Sequence, residues 1–177
     1  MCTSTSPHAP LPTTRSCSHG CGRSARHPAA RGRAPAPWTV LADPVGNEFR
    51  VLRPEKHRDT GPIAAVVADC ADPRAMARFR GRALDWTVHE VTDEQAVLRS
   101  AAETGPCFTF LRTPDVPSAP GRLHADLLPC PGGDKDAEVA RLRTLGAADL
   151  DIGRGDVPWT CLTDPLGHEF CVLAPSE

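Results

Sequence analysis

The sequence predicts an α+β protein built from paired βαβββ units, and three observations carry that reading. A segment from Pro37 to Leu52 (Pro-Trp-Thr-Val-Leu-Ala-Asp-Pro-Val-Gly-Asn-Glu-Phe-Arg-Val-Leu) returns from Pro158 to Leu173 as Pro-Trp-Thr-Cys-Leu-Thr-Asp-Pro-Leu-Gly-His-Glu-Phe-Cys-Val-Leu. Between the copies, residues 62–113 read as strand, helix and three strands. Residues 121–175 then repeat that order. Self-similarity of this kind marks a duplicated structural unit.

Each copy of the repeat reads as a β-hairpin. Asp-Pro-x-Gly suits a tight turn, because Pro fixes φ at its second position and Gly tolerates positive φ. In the first full unit, Ile63 to Ala68 is a β-branched apolar run, hence a buried strand. Asp72-Pro73 supplies an N-cap and a first-turn proline. Ala75, Met76, Phe79 and Ala83 follow at helical spacing, and the helix ends near Leu84-Asp85. Three strands are expected at Trp86–Val91, Gln95–Ser100 and Pro106–Arg112. The second unit follows a Pro-rich linker at Pro114–Pro120. It has a strand at Leu123–Leu128, a turn at Pro131-Gly132-Gly133, and a helix at Asp136–Leu145. Val139, Leu142 and Leu145 lie on one face of that helix, and Gly146 is its C-cap. Strands are expected at Ala147–Ile152, Pro158–Leu162 and Glu169–Leu173.

Residues 1–36 are rich in Ser, Pro, Arg and His and nearly free of aliphatic residues. Such a segment buries too little apolar surface to offset the entropy of ordering. A second reading comes from the genetic code. Read two bases late, the codons of Met1–Thr5 permit Val, then His or Tyr, then an aliphatic residue or Phe, then Asp, His, Asn or Tyr, at the offset of Leu123-His124-Ala125-Asp126. Those of Cys17–Arg23 permit Leu or Phe and then residues that include Ala140-Arg141-Leu142-Arg143-Thr144, in the same register. Residues 1–36 are therefore expected to be disordered or out-of-frame, and 37–54 to be the orphan C-terminal hairpin of a truncated preceding repeat. Cys17-Ser18-His19-Gly20-Cys21 looks like a compact metal motif, but structural zinc needs four ligands and no partner pair stands nearby.

The Asp-Pro-x-Gly hairpin resembles the C-terminal hairpin of the glyoxalase/bleomycin-resistance superfamily, the vicinal oxygen chelate proteins. The stretch from Asp69 to Trp86 is similar to that family's first strand-to-helix passage, with Asp85 standing where the family has Gly. The resemblance implies that residues 62–175 form one glyoxalase-like domain, its paired units making a curled, cup-shaped mixed sheet with helices outside. It also implies metal ligands on the first and last strands of each unit. In the second unit those places hold His124 and Glu169. In the first they hold Ile63 or Ala64, and a last strand, Cys107-Phe108-Thr109-Phe110, without a carboxylate. Two of four implied ligands are thus present. The alternative is a His–Glu pair in a metal-free pocket.

Strand alternation turns Phe170 and Val172 toward the helices, and Glu169 and Cys171 toward the cup. Asp126 shares the face of His124 and could orient its imidazole, or serve as a solvated or capping group. His89, Phe108, Phe110 and Trp159 are the expected substrate-binding residues, with structural roles as the alternative for His89 and Trp159. His168 is expected to be exposed in the turn, and Cys161 and Cys171 to be small buried hydrophobes.

Composition narrows the functions further. Formal net charge is −2, which gives no electrostatic case for nucleic acid or an acidic membrane surface. No apolar run approaches the roughly 20 residues of a membrane span, and no signal-peptide pattern is visible. The eight cysteines form no spaced framework, so a reduced, cytoplasmic protein is expected. The expected partner is a small molecule, with homodimer formation left open. Two functions fit these residues. One is a glyoxalase-like protein binding a small organic molecule in its sheet cup, with no cofactor. The other is a divalent-metal-dependent lyase, isomerase or dioxygenase, with Glu169 as the candidate catalytic group.

Overall fold

The computed structural model describes residues 38–52, 60–113, 124–130, 132–153, 155, 157–174. The expectations for 1–36 lie outside these residues. By compactness the chain divides into Met1–Arg58 and Asp59–Glu177. No described helix is long and apolar enough to cross a membrane.

The first body contains one described hairpin, β1 (Trp38–Ala42) and β2 (Glu48–Leu52). They pair antiparallel with Leu41 opposite Phe49. In the turn, Asp43 Oδ1 accepts hydrogen bonds from the backbone N–H of Val45 and of Asn47 at 3.0 and 2.8 Å. Gly46 takes φ +89° there. Trp38, Phe49 and Val51 are exposed, and Arg50 stacks over the Trp38 ring at 5.2 Å.

The second body holds two βαβββ units in sequence order. The first is β3 (Ala65–Cys70), α1 (Pro73–Leu84), β4 (Thr87–Val91), β5 (Gln95–Arg99) and β6 (Cys107–Arg112). The second is β7 (Ala125–Leu127), α2 (Lys135–Thr144), β8 (Ala148–Asp149), β9 (Thr160–Thr163) and β10 (Glu169–Val172). Each unit makes its own mixed four-stranded sheet, in orders β3-β6-β5-β4 and β7-β10-β9-β8. In both, the first strand pairs parallel with the last and the rest pair antiparallel. The fold class is α+β as expected, with the strands in two open sheets. The second unit's outer strands are shorter than the sequence suggests: β8 keeps only Ala148–Asp149 of the span 147–152.

The helices start and stop for local reasons. Asp72 accepts from Ala75 N–H at 3.0 Å with Pro73 at the first helical position. Asp134 does the same for Ala137 at 2.7 Å. Asp85 ends α1 in the left-handed conformation, φ 54° and ψ 42°. That geometry explains why a glycine would suit the position.

The core has two parts. Met76 and Ala77 of α1 pack with Cys70, Ala96, Leu98 and Phe110 of the first sheet. Phe79 and Ala83, also on α1, pack with Val139, Leu142, Leu162, Phe170 and Val172 of the second unit. Helix α1 therefore serves both sheets. Arg141 of α2 ties the helices further, donating to the carbonyls of Arg82 and Ala83 at the end of α1 (3.1 and 2.8 Å). Those carbonyls would otherwise lack intrahelical partners.

Buried charge sits at the centre of this packing. Arg80 of α1 donates to Asp164 Oδ2 at 2.7 Å, and both side chains are almost wholly buried. The Arg80 guanidinium also lies over the rings of Phe170 (4.7 Å) and Phe79 (5.5 Å). Its Nε and Nη1 meet no hydrogen-bond acceptor among the described residues, so these aromatic faces are the neighbours of the remaining cation. Burial pushes the Asp164 carboxyl up, but the hydrogen bond with His168 and the charge of Arg80 outweigh it and hold the group below the usual carboxylate range. His168, expected to be exposed, is partly buried, and its Nε2 lies 3.0 Å from the Asp69 carbonyl.

Candidate functional site

Alternation along β10 decides which side chains can form a site. Phe170 and Val172 are fully buried against the helices. Glu169 and Cys171 therefore project from the opposite face of the sheet. Ala125 and Leu127 of β7 likewise pack on the core, which leaves His124 and Asp126 facing with Glu169 and Cys171. Register then aligns them into rows. Cys171 is paired with Asp126 on β7 and with Cys161 on β9.

A cavity of about 570 Å³ opens over this face, lined by His124, Asp126, Ile152, Trp159, Cys161, Glu169, Cys171 and Leu173. The volume suits a small organic molecule. Ile152, Trp159 and Leu173 give it apolar walls. Its polar groups are two carboxylates, two thiols and one imidazole, with no Lys or Arg among the described lining residues. Every described lining residue belongs to the second unit.

The polar groups converge on one atom. His124 Nε2 lies 3.2 Å from Cys171 Sγ and 3.4 Å from Asp126 Oδ1. The donor atoms of His124, Asp126 and Cys171 all fall within 4.8 Å of one another. Cys171 Sγ is in turn 2.7 Å from Cys161 Sγ. Cys70, Cys107, Cys161 and Cys171 are reduced. Glu169 lines the same cavity but stands outside the three-donor cluster.

The other residues singled out from sequence lie elsewhere. Phe110 is fully buried in the core against α1, and Phe108, partly buried, packs on the same cluster with its ring 4.5 Å from that of Phe110. Both follow from alternation, since residues two apart on β6 share a face and that face is the helix side. His89 projects from exposed β4 and lies 3.7 Å from Glu103. Sequence reasoning missed Cys171 as a polar participant, although its spacing of two from Glu169 put it on the same face.

A complete nitrogen and oxygen metal set does not fit these residues. The start of the first unit offers Ile63 and Ala64, and β6 carries neither His nor carboxylate.

Residues 65–173 match the family model described as a glyoxalase-like domain. Among curated proteins none matches the chain. Solved structures with similar folds include the fosfomycin resistance protein FosX from Mesorhizobium loti, at 13% identity, TM-score 0.50, covering 66% of this chain and 93% of that one. FosX from Listeria monocytogenes, complexed with Mn(II) and 1S,2S-dihydroxypropylphosphonic acid, gives 12% identity and TM-score 0.49, covering 66% and 91%. The bleomycin-binding protein from Streptomyces verticillus gives 18% identity and TM-score 0.45, covering 64% and 96%. At these identities the likeness is one of fold.

Proposed function

The chain belongs to the glyoxalase-like domain family, and from that premise we propose that it binds a small organic molecule in the cavity of its second sheet. The observation that carries the reading is the cavity itself: apolar walls from Trp159, Ile152 and Leu173 beside the polar set His124, Asp126 and Glu169. Apolar area supplies affinity in such a site, and a few fixed polar groups supply orientation.

The charge of the lining selects the ligand class. Two carboxylates face the cavity, and among the described lining residues the only group that can become a cation is His124. A negatively charged ligand would meet like charge at short range, at a cost that rises as water is excluded. The cavity therefore favours neutral or cationic aromatic molecules that donate hydrogen bonds, with Glu169 and Asp126 as acceptors and Trp159 as the stacking wall.

A thermal-shift screen of the full chain tests this, with aromatic amines set against aromatic carboxylates of matched size. Amines are expected to raise the melting temperature and carboxylates to leave it unchanged, and Trp159→Ala is expected to abolish the shift. Stabilisation by carboxylates alone, or a shift untouched by Trp159→Ala, would contradict the proposal.

A second reading, a divalent-metal-dependent lyase, isomerase or dioxygenase with Glu169 as its proton-transfer group, is favoured by one observation. That observation is the convergence of the ligand-type side chains of His124, Asp126 and Cys171.

A further inference from the structure

We propose that His124, Asp126 and Cys171 form a site for a thiophilic divalent cation of the zinc type, held by one sheet of the domain alone. This deepens the metal-dependent reading of the same cavity, and it replaces the ligand set that the family resemblance implies. That set would use His124 with Glu169 and two residues of the first unit, which are missing. The side chains that do come together include a thiol and leave Glu169 out.

Geometry supports the three donors. Zinc bonds of about 2.0–2.3 Å at tetrahedral angles require donor-to-donor spacings of roughly 3.3–3.7 Å. The His124 Nε2 spacing to Asp126 Oδ1 is 3.4 Å and that to Cys171 Sγ, 3.2 Å, is just below this range, while all three donors lie within 4.8 Å of one another, so rotation of the exposed His124 and Asp126 side chains brings them onto one cation. The sheet fixes Asp126 and Cys171, and His124 immediately precedes β7. Cys171 and Asp126 are register partners on parallel strands, and His124 stands two residues before Asp126 on the same face. Three protein ligands plus an open position facing a cavity is the arrangement of a zinc site that can still accept a ligand.

Ligand type selects the metal. A thiolate with an imidazole favours zinc over magnesium, calcium or manganese, which prefer oxygen donors. Cys171 is almost wholly buried, while His124 and Asp126 are exposed. The soft ligand thus forms the floor and the hard ones the rim. On binding, the Cys171 thiol gives its proton to solvent and the thiolate bonds the cation. The Cys161 thiol, 2.7 Å away, can then donate S–H to that thiolate as a supporting contact.

The test loads the reduced, chelator-treated full chain with zinc alone and with cobalt(II) as a spectroscopic substitute. About one equivalent of zinc is expected to bind. The cobalt form is expected to show a sulfur-to-metal charge-transfer band. Cys171→Ser should abolish that band, and His124→Ala should weaken zinc binding at least about tenfold, the scale of losing one ligand or its support. Glu169→Gln should leave the band and the stoichiometry unchanged. Circular dichroism of each variant establishes that it is folded, and the exposed His124 serves as the second variant should Cys171→Ser fail that check. Absence of zinc uptake, or cobalt uptake without a thiolate band and lost in Glu169→Gln, would overturn the proposal. Amine binding by the metal-free chain is read separately, so failure of the metal site and failure of the organic-ligand reading give different results.

Discussion

Two hairpins in this chain share a sequence, a register and a turn, and differ in almost everything else. In β1–β2 and β9–β10 alike, the turn aspartate accepts from the N–H groups two and four residues on, Asp43 from Val45 and Asn47, Asp164 from Leu166 and His168. Both turns place glycine at positive φ, 89° for Gly46 and 85° for Gly167. Leu41 faces Phe49 as Leu162 faces Phe170. Yet Phe49 and Val51 are exposed while Phe170 and Val172 are fully buried. The local sequence thus suffices for the hairpin's shape. The second copy packs against α1 and α2, which make its Leu162, Phe170 and Val172 core on one face and leave a cavity on the other.

The largest expected contrast lies in the turn aspartates. Asp164→Asn keeps the turn acceptor but strips Arg80 of its buried counter-charge, and is expected to cost about 3–5 kcal/mol in denaturant unfolding. Asp43→Asn removes no buried partner and should leave the midpoint nearly unchanged. The sign with pH follows from the lowered carboxyl of Asp164. Its contribution is fully present above the ordinary carboxylate value of about 3.9 and is lost as pH falls through the lower folded value. The Asn variant should lack that acid-dependent loss. Equal effects of the two substitutions would break the comparison.

A smaller effect is expected from His168→Asn, which gives the second turn the residue of the first. The Asp164 carboxylate, its Oδ1 3.4 Å from His168 Nδ1, raises the His168 imidazole above its ordinary value, against the opposing effect of burial. Its stabilisation is therefore complete below about pH 6.5 and is lost as pH rises through the raised value. The variant should be less stable at pH 5, by under about 1 kcal/mol given partial exposure, and flatter across neutral pH. A pH profile identical to that of the unsubstituted chain would show that His168 does not distinguish the two turns.

Much of this was legible from residues alone, and the limits are physical. The turn motif, the first helix start at Asp72, and the inward set Phe170 and Val172 follow from rules that act over a few residues, whereas the second helix was expected to begin at Asp136 and is capped two residues earlier by Asp134. Alternation also placed Glu169 and Cys171 on one face. The same rule applied to Phe108 and Phe110 assigns them to the helix side, where they pack in the core, so their expected place on a cavity wall was an error of parity. The Arg80–Asp164 pair spans 84 residues, and no local pattern signals it. Cys171 read as a small hydrophobe because burial and polarity usually oppose each other, and only the register with Asp126 brings it beside His124.

Native-state hydrogen exchange at two matched amides tests the central claim most directly. Asp43 N–H donates to the Asn47 carbonyl and Asp164 N–H to the His168 carbonyl, both at 2.9 Å. Hydrogen bonding alone would protect them equally. If coverage by α1 and α2 sets the difference, the Asp164 amide opens only with its domain, whereas the Asp43 amide opens with its hairpin. Exchange at Asp164 should then be slower by at least about 100-fold after correction for intrinsic rates, roughly 2.7 kcal/mol of opening free energy. Matching protection at the two positions would contradict the account.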